Sequence, residues 1–196
     1  ADYVKIKVEG NKLQQIIQRI QNEELHGVNI TIPYKESIME YLDEINPRAK
    51  SIGSVNCILK SGSKIIGNNT DWYGFSMALK NNDINPVDRE VVILGAGGST
   101  KSIIYALKQM GVQKIFLLNR SIEKAQALQN DCIHAYSLDD AKDVIKTDSI
   151  IINTTSVGMQ SSQSPIDFDL LCENQVLIDI IYTPLETRLL KFGKTI

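Results

Sequence analysis

A glycine-rich turn follows an apolar run in the middle of the sequence. The run is Val91–Leu94, and the turn that follows reads Gly95-Ala96-Gly97-Gly98-Ser99-Thr100. Glycines allow a tight turn and let backbone amides approach a pyrophosphate at the positive end of the next helix. Because the turn lies between a predicted strand and a predicted helix, we predict that residues 95–100 bind a dinucleotide. The alternative is a structural turn that binds nothing.

Residues after the next predicted strand favour a phosphorylated dinucleotide. That strand, Ile115–Leu118, is followed by Asn119, Arg120 and Ser121. An NAD-binding fold usually has an acidic residue here for the ribose 2′-hydroxyl. Arg120 instead presents a planar set of donors that suits a 2′-phosphate. We therefore predict NADP as the cofactor. Lys124, one helical turn later, either adds a second positive charge or is a solvated surface cation.

Two clusters of polar residues precede the glycine turn. In the first, Gly27–Lys35, a predicted strand is followed by a lysine that begins the next helix. In the second, Gly67–Asp71, polar residues lead into another predicted helix. Lys35 alone would be a surface lysine at an electrostatically unfavourable helix start, and Asp71 alone an ordinary helix N-cap. Together with the polar segment Ser54–Asn56, the clusters favour a functional site over surface placement.

The elements that must position these residues form two regions. In residues 72–196, apolar strands alternate with helices, which indicates a parallel sheet covered on both faces. This region is predicted to be a doubly wound, Rossmann-like α/β domain that binds the dinucleotide. Its predicted strands are Val91–Leu94, Ile115–Leu118, Asp148–Asn153 and Gln175–Asp179, and its predicted helices run from the glycine turn to Met110 and over Ile122–Gln129.

Residues 1–71 have shorter, mixed elements and are predicted to form a smaller α/β domain. Apolar residues at helical spacing identify a helix over Asn11–Glu23. A helix over Trp72–Asn82 is predicted to join the domains, with residues 82–86 as the linker. The other predicted elements are strands at Tyr3–Val8 and Gly27–Ile32, helices at Tyr34–Leu42 and Pro47–Ile52, and a hairpin of Val55–Leu59 with Lys64–Gly67.

Composition argues against several functional classes. A net charge of −2 gives no reason to expect a nucleic-acid partner. No apolar run approaches the ~20 residues that cross a bilayer, so no membrane association is expected. The three cysteines, Cys57, Cys132 and Cys172, form no CxxC pair, so neither a disulfide framework nor a metal site is indicated. A cytoplasmic protein is the simplest interpretation.

In order and spacing, the polar clusters and loops resemble those of the shikimate dehydrogenase family. The matching segments are GVNITIPYK, SIGSVNCI, GNNTDWYGF, ILGAGGSTKSIIYAL, NRS, INTTSVGM and DIIYTPLETRLL. The resemblance covers essentially all 196 residues, and the combination is highly specific although the glycine turn alone is not. It implies the reversible, NADP-dependent reduction of 3-dehydroshikimate to shikimate in the chorismate pathway to aromatic amino acids.

The resemblance also implies roles for individual residues. Lys35 and Asp71 would form the catalytic pair, with Lys35 donating to the oxygen on the carbon that receives hydride. Asp71 would bind the same hydroxyl region and hold the lysine. Thr31 and Asn56 would bind the substrate hydroxyls, or else be buried polar groups satisfied within the fold. Tyr182 would border the substrate and the nicotinamide, or else pack at a domain edge.

The loop after the strand Asp148–Asn153 is implied to line the nicotinamide end of NADP, with Thr154, Ser156 and Val157 closest. Ligands of doubly wound sheets bind at this edge. The resemblance thus implies a small-molecule substrate and NADP as the molecules bound, and the interpretation leaves both a monomer and a homodimer open.

The sequence departs from the family pattern at several places. It has no counterpart of an N-terminal Ser-x-Ser segment that grips the substrate carboxylate, or of a C-terminal glutamine-bearing segment. Both domains are therefore expected to be incomplete relative to the family, and these residues alone to bind NADP with impaired or absent turnover. Trp72 stands where glycine usually follows the aspartate, Cys57 where threonine usually follows Asn56, and Thr100 where alanine or serine is usual. Trp72 is expected to narrow the cleft or alter which hydroxylated acid fits.

Two other functions stay open from the sequence. A quinate/shikimate dehydrogenase of the same fold often accepts NAD, and Arg120 argues against that preference. A non-catalytic nucleotide-binding module would explain Trp72. Such a module has no need of Lys35, Asn56 and Asp71, so the enzyme is the favoured interpretation.

Overall fold

The computed structural model describes residues 2–196, without the side chain of Asn11. The chain divides into two compact units, Ala1–Trp72 and Tyr73–Ile196. No helix among the described residues combines the length and the apolar character needed to cross a membrane.

The first unit contains a four-stranded sheet in the order β1-β3-β4-β2. Its strands are β1 (Gly27–Asn29), β2 (Glu44–Ile45), β3 (Cys57–Ser61) and β4 (Lys64–Asn68). β3 pairs antiparallel with β1 and with β4, while β2 runs parallel to β4. Gly62 has a φ of 60°, a conformation that glycine adopts without steric cost, and so allows the tight turn of the predicted hairpin.

Two helices cover this sheet as their sequence patterns predict. α1 (Leu13–Gln21) follows a short 3-10 turn and buries its four apolar residues at helical spacing, Leu13, Ile16, Ile17 and Ile20. α2 (Pro47–Ile52) coincides with its prediction. Asn46 begins it by accepting a hydrogen bond from the Arg48 amide, and Gly53 ends it in the left-handed conformation with a φ of 71°.

Three predictions for this unit were wrong in part. Tyr3–Val8 is not a strand, because among the described residues no neighbouring strand pairs with its backbone, and Tyr3 is 83% exposed. β1 ends at Asn29 rather than at Ile32. The helix predicted over Tyr34–Leu42 is a 3-10 helix over Ser37–Tyr41. Lys35 therefore lies in the turn before this helix and does not begin it.

The second unit is built on five strands in the order β7-β6-β5-β8-β9. All neighbouring pairs are parallel. The strands are β5 (Val91–Leu94), β6 (Ile115–Asn119), β7 (Ile133–Ser137), β8 (Ile150–Asn153) and β9 (Val176–Asp179). The helices that follow Trp72 in the chain are the rest of α3 (Asp71–Asn81), α4 (Gly98–Gln109), α5 (Ile122–Gln126), α6 (Ala141–Val144) and α7 (Arg188–Gly193).

The sheet of the second unit is covered on both faces. All four residues of β5 are buried; Val91 and Ile93 belong to one apolar cluster, and Val92 and Leu94 to the other. Alternate residues of a strand point to opposite faces, so the two clusters lie on the two sides of the sheet. The predicted doubly wound α/β fold is confirmed.

The strand order creates a switch point between β5 and β8. From β5 the chain continues to β6 and β7 on one side, whereas β8 and β9 lie on the other. Leu94 and Asn153, the last residues of β5 and β8, are partners in the sheet. The loops after these two strands therefore emerge side by side, where open α/β sheets bind their ligands.

Candidate active site

Lys35 and Asp71 form an ion pair in the first unit. The Lys35 Nζ donates to Asp71 Oδ2 at 2.7 Å, and the two side chains are 12% and 30% exposed. A charge-assisted hydrogen bond of this length in a partly desolvated place is stronger than one between surface groups. The two residues that the family resemblance makes catalytic are thus in direct contact.

Asn56 holds the other oxygen of the same carboxylate. Its Nδ2 donates to Asp71 Oδ1 at 2.6 Å and to Thr70 Oγ1 at 3.0 Å. Its Oδ1 accepts from the Thr70 amide at 2.9 Å, which sets the orientation of the Asn56 side chain because that amide needs an acceptor. Lys35 and Asn56 therefore each bind one oxygen of the Asp71 carboxylate and together fix its orientation.

Backbone hydrogen bonds bring the three polar segments together. The Val55 amide donates to the Lys35 carbonyl at 2.8 Å, and the Ile30 amide donates to the Asn56 carbonyl at 2.8 Å. The Asn56 amide donates in turn to the carbonyl of Asn68 at 3.0 Å. The segment at 54–56 thus bridges the turn that carries Lys35 and the end of β4, which leads to Asp71.

Asn69 is a buried residue of this site to which the sequence analysis assigned no role. Its Oδ1 accepts from the amides of Asp71 and Trp72 at 3.0 and 3.5 Å, and its Nδ2 donates to the Ser54 carbonyl at 2.8 Å. An asparagine just before a helix is a common capping signal that could have identified it. Asp71 is consequently the first residue of α3 and not its N-cap, a position where a carboxylate is favourable.

Thr31 and Asn56 differ in burial. Thr31 is exposed, so the alternative that it is a buried polar group is wrong. Asn56 is 8% exposed and is satisfied by protein groups, as that alternative states, and one of those groups is Asp71. Thr31 follows Ile30 directly, and the Ile30 amide binds the Asn56 carbonyl, so Thr31 lies beside the same segment.

Ser54 provides a stability test of this region. Its side chain is completely buried, and its Oγ has no hydrogen-bond partner in the part of the chain that the structure describes. Because an unsatisfied buried hydroxyl is costly, Ser54→Ala is expected to raise the free energy of unfolding by about 1 kcal/mol in chemical denaturation. Ser149→Ala is the control, since the Ser149 Oγ accepts from the Lys146 amide at 2.9 Å, and it should lower stability. Destabilisation by Ser54→Ala would mean that its hydroxyl has a partner.

Two of the three glycines in the turn of the second unit, Gly95 and Gly97, differ in whether the protein itself requires glycine there. Gly95 has a φ of 106°, and a Cβ there would lie 2.7 Å from Thr154 Oγ1. Gly97 has an extended φ of −100°, and a Cβ there would meet none of the described atoms within 4 Å. Neither conformation nor packing therefore requires glycine at position 97. A ligand that passes close to the backbone would require it, so the turn fits a dinucleotide.

Of the remaining residues of the turn, Ala96 precedes α4, and Gly98, Ser99 and Thr100 begin it. Ala96, Gly98 and Ser99 are half-buried, whereas Thr100 is completely buried. Thr154, in the loop after β8, is 6% exposed. The side chains of Thr100 and Thr154 are thus turned into the protein, and a contact from these two residues to a cofactor would come from the backbone.

The residues after β6 present positive charge to solvent. Arg120, Ser121 and Lys124 are exposed, while the half-buried Asn119 donates from Nδ2 to the Ser121 carbonyl at 2.8 Å. Among residues 2–196, no hydrogen bond or ion pair engages the Arg120 guanidinium. The Gly95 amide donates to the carbonyl of Leu118 at 2.8 Å. Arg120 therefore follows the strand that contacts the glycine turn.

The loop after β9 is held by Asp179. Its Oδ2 accepts from Asn153 Nδ2 at 3.1 Å and from Thr187 Oγ1 at 2.7 Å, and its Oδ1 accepts from the Ile181 amide at 3.0 Å. These bonds join the ends of β8 and β9 to the start of α7. Tyr182, next to Ile181 in this loop, is 79% exposed, so its ring is not packed within the second unit. In the loop after β8, Ser156 is exposed and Val157 is half-buried.

Two surface carboxyls away from these groups have perturbed acidities. The hydrogen bond from Lys60 lowers the pKa of Glu23, and the hydrogen bond from Lys194 lowers the pKa of Glu186. No group of three or more His, Cys, Asp and Glu side chains in the described part of the chain is arranged to hold a metal ion.

A doubly wound sheet with a glycine turn at its switch point is a feature of dinucleotide-dependent oxidoreductases, and a lysine–carboxylate pair can provide acid–base groups for such an enzyme. Comparison with family models gives the particular family. Residues 1–58 match the shikimate dehydrogenase substrate binding domain, and residues 77–180 match the family described as shikimate / quinate 5-dehydrogenase. The chain belongs to the shikimate dehydrogenase family.

Individual shikimate dehydrogenases are similar to this chain in sequence and in structure. The NADP(+) shikimate dehydrogenase of Clostridium beijerinckii is 42% identical over 194 residues, which are 98% of this chain and 71% of that protein. A shikimate dehydrogenase structure from Peptoclostridium difficile has a TM-score of 0.88 at 33% identity and covers 97% of this chain and 70% of that chain. One from Thermus thermophilus, in complex with NADP(H) and shikimate, has a TM-score of 0.83 at 32% identity, covering 96% and 70%. The predicted family and oxidoreductase class are confirmed. The prediction of NADP as the cofactor is also confirmed, since the relatives are NADP-dependent shikimate dehydrogenases.

Proposed function

We propose that this protein catalyses the reversible reduction of 3-dehydroshikimate to shikimate with NADP. The observation that carries the proposal is the ion pair between Lys35 and Asp71, whose charged atoms are 2.7 Å apart. As hydride reaches a carbonyl carbon, negative charge develops on the oxygen, and a positioned ammonium group can stabilise that charge and supply a proton. Lys35 would supply this ammonium group beside the substrate, and Asp71 would hold it in place.

The residues of the first unit have different roles in proton transfer and substrate binding. In the reduction, Lys35 donates a hydrogen bond and then its proton to the substrate oxygen; in the oxidation, it takes the proton back. Asp71 holds the Lys35 ammonium group in a fixed direction, and it accepts from the same oxygen when that oxygen is the hydroxyl of shikimate. Asn56 keeps the carboxylate in place through its bond to Oδ1, and Thr31 and Asn56 bind the neighbouring hydroxyls. Residues 1–71 are thus the substrate domain of the proposal.

The residues of the second unit, within the proposed cofactor domain 72–196, would hold NADP. The bound cofactor supplies or accepts the hydride at its nicotinamide ring. The turn at 95–100 would bind the pyrophosphate through backbone amides, and Arg120 would bind the 2′-phosphate, with Asn119, Ser121 and Lys124 beside it. Thr154, Ser156 and Val157 would line the nicotinamide end, and Tyr182 would border the nicotinamide and substrate.

The test is to mix the full-length protein with shikimate and NADP and to follow the absorbance of the reduced nicotinamide. Parallel reactions use quinate as substrate and NAD as cofactor. A strong preference for NAD would favour the quinate/shikimate enzyme instead. Binding of NADP without formation of reduced nicotinamide would favour the non-catalytic nucleotide-binding module, and would overturn the proposal.

Trp72 is expected to affect the substrate more than the cofactor. It follows Asp71 directly, is half-buried, and lies with its ring centroid 5.3 Å from the Arg48 guanidinium carbon. Because Trp72 is next to Asp71 in the chain, loss of the indole and of its cation–π contact acts on the substrate through the placement of Asp71. Trp72→Gly should therefore change the KM for shikimate more than the KM for NADP. Arg48→Met, which removes only the guanidinium, should give part of the effect. Unchanged constants in both variants would assign the indole to packing alone.

We further propose that the protein is cytoplasmic and works as a monomer or a homodimer. Its family supports a small-molecule substrate as the partner. Light scattering of the full-length protein would separate the two assemblies.

A further inference from the structure

Two buried threonines connect the glycine turn to the loop after β8. The Oγ1 atoms of Thr100 and Thr154 lie 2.8 Å apart, and the residues are 0% and 6% exposed. Thr100 Oγ1 also accepts from the Gly97 amide at 3.0 Å and lies 3.0 Å from the Gly95 carbonyl oxygen. Thr154 Oγ1 lies 2.7 Å from the Leu94 carbonyl oxygen.

Counting protons gives the direction of these bonds. Each hydroxyl has one proton to donate, whereas three oxygen–oxygen contacts need a proton: Thr100 to Gly95, Thr100 to Thr154, and Thr154 to Leu94. If Thr100 donated to Gly95 while Thr154 donated to Leu94, two lone pairs would face each other across 2.8 Å. The arrangement that gives protons to the two shortest contacts is a chain, in which the Gly97 amide donates to Thr100, Thr100 to Thr154, and Thr154 to the Leu94 carbonyl. The longest contact, from Thr100 to the Gly95 carbonyl at 3.0 Å, is then left without a proton. Bonds in such a chain polarise and strengthen one another.

The two loops are also in close steric contact at this place. A Cβ on Gly95 would lie 2.7 Å from Thr154 Oγ1 and 3.0 Å from Thr155 Cγ2. The Thr154 amide donates to the same Leu94 carbonyl at 2.8 Å. The glycine turn and the loop that begins at Thr154 therefore have little freedom to move apart while the hydroxyl chain is intact.

We infer that Thr100 and Thr154 are positioning residues that set the glycine turn and the loop at 154–157 at a fixed separation before NADP binds. This inference rests on the proposed function, in which one loop holds the pyrophosphate and the other lines the nicotinamide end. Both residues are buried, so their hydroxyls would act on the cofactor through the backbone that they hold. Thr100 fixes the Gly97 peptide in the turn that would bind the pyrophosphate, and Thr154 fixes the start of the loop that would line the nicotinamide end. A site that is ordered in advance binds more tightly because less motion is lost on binding.

The experiment measures NADPH binding to the full-length protein by nicotinamide fluorescence, at a temperature well below the melting temperature of every variant. Thr100→Val keeps the shape and removes the hydroxyl, and it is expected to raise the Kd for NADPH about tenfold. Thr154→Val should do the same. Thr100→Ser keeps the hydroxyl and should stay within about threefold of the unaltered protein.

The double variant Thr100→Val/Thr154→Val tests whether the two hydroxyls act as one unit. If they do, its Kd should be about as high as that of either single variant, because the chain is already broken; independent effects would multiply to about a hundredfold. Ser149→Ala is the matched control: it removes another buried hydroxyl bond, just before β8, and should lower the melting temperature without changing the Kd.

Several outcomes would overturn the inference. A Kd within twofold in Thr100→Val and Thr154→Val would show that the pair is only structural. Multiplied losses in the double variant would show that the two hydroxyls act independently, and an equal loss in Ser149→Ala would show that the effect is not specific to this pair. If Thr100→Val does not fold, Thr154→Val and Thr100→Ser still decide. Failure of the unaltered protein to bind NADPH would overturn the proposed function as well, whereas normal binding by both the unaltered protein and the valine variants would overturn only this inference.

Discussion

Lys35→Met is expected to lower kcat by about 10²–10⁴-fold, the usual scale for removing a general acid–base group. The KM for shikimate should change much less, because the bond from Lys35 strengthens as the substrate oxygen gains charge and not on binding. Methionine keeps most of the apolar stem of lysine, so the variant should fold normally. Lys35→Ala should be similarly inactive. Steady-state kinetics of the full-length protein, with a melting curve for each variant, measure both effects.

The matched control is Lys64→Met in the same unit. Lys64 Nζ pairs with Glu44 at 3.1 Å, but these side chains are 61% and 53% exposed, so the pair is a surface interaction of small energetic value. Lys64→Met should keep normal turnover and change stability by no more than about 0.5 kcal/mol. If Lys35→Met retained most of its turnover, Lys35 would not be the acid–base group, and the proposed mechanism would be wrong whatever the glycine turn binds.

Arg120→Ala is expected to raise the KM for NADP by about 10–100-fold and to leave the KM for NAD nearly unchanged. The expected loss corresponds to one hydrogen bond to a charged group, about 1.5–3 kcal/mol. NAD lacks the 2′-phosphate and so does not use this bond. The guanidinium is exposed and, within residues 2–196, takes part in no internal hydrogen bond or ion pair, so its removal should cost little stability.

Two further variants sharpen the cofactor test. Arg120→Lys keeps the charge but loses the planar set of donors, and should give an intermediate loss of NADP affinity. Lys124→Ala decides whether the second cation contributes, since Lys124 is exposed one helical turn later. Equal losses for NADP and NAD in Arg120→Ala would show that Arg120 does not recognise the 2′-phosphate.

Elements with a strong local pattern could be predicted from the sequence. The apolar spacing of α1 and the continuous apolar runs of β5, β6, β8 and β9 identified these elements to within a few residues. β7 was missed because four of its five residues are only half-buried, and such an edge strand has no continuous apolar run. Tyr3–Val8 has a strand-like sequence but no partner among the described residues, and backbone pairing depends on the neighbour as much as on the strand itself.

The groups able to do chemistry could also be named from the sequence, through the family resemblance and the glycine turn. The sequence by itself determined the residue types, the glycine turn after β5, and the cation after β6. Only the tertiary structure decided that Lys35 and Asn56 bind opposite oxygens of Asp71, that Asn69 caps the helix Asp71 begins, and that Thr100 bonds to Thr154. The physical reason is that helical and strand patterns are local, whereas the bonds of Lys35, Asn56 and Thr100 join residues 15 to 54 positions apart. The cap by Asn69 depends on where a loop turns its side chain inward.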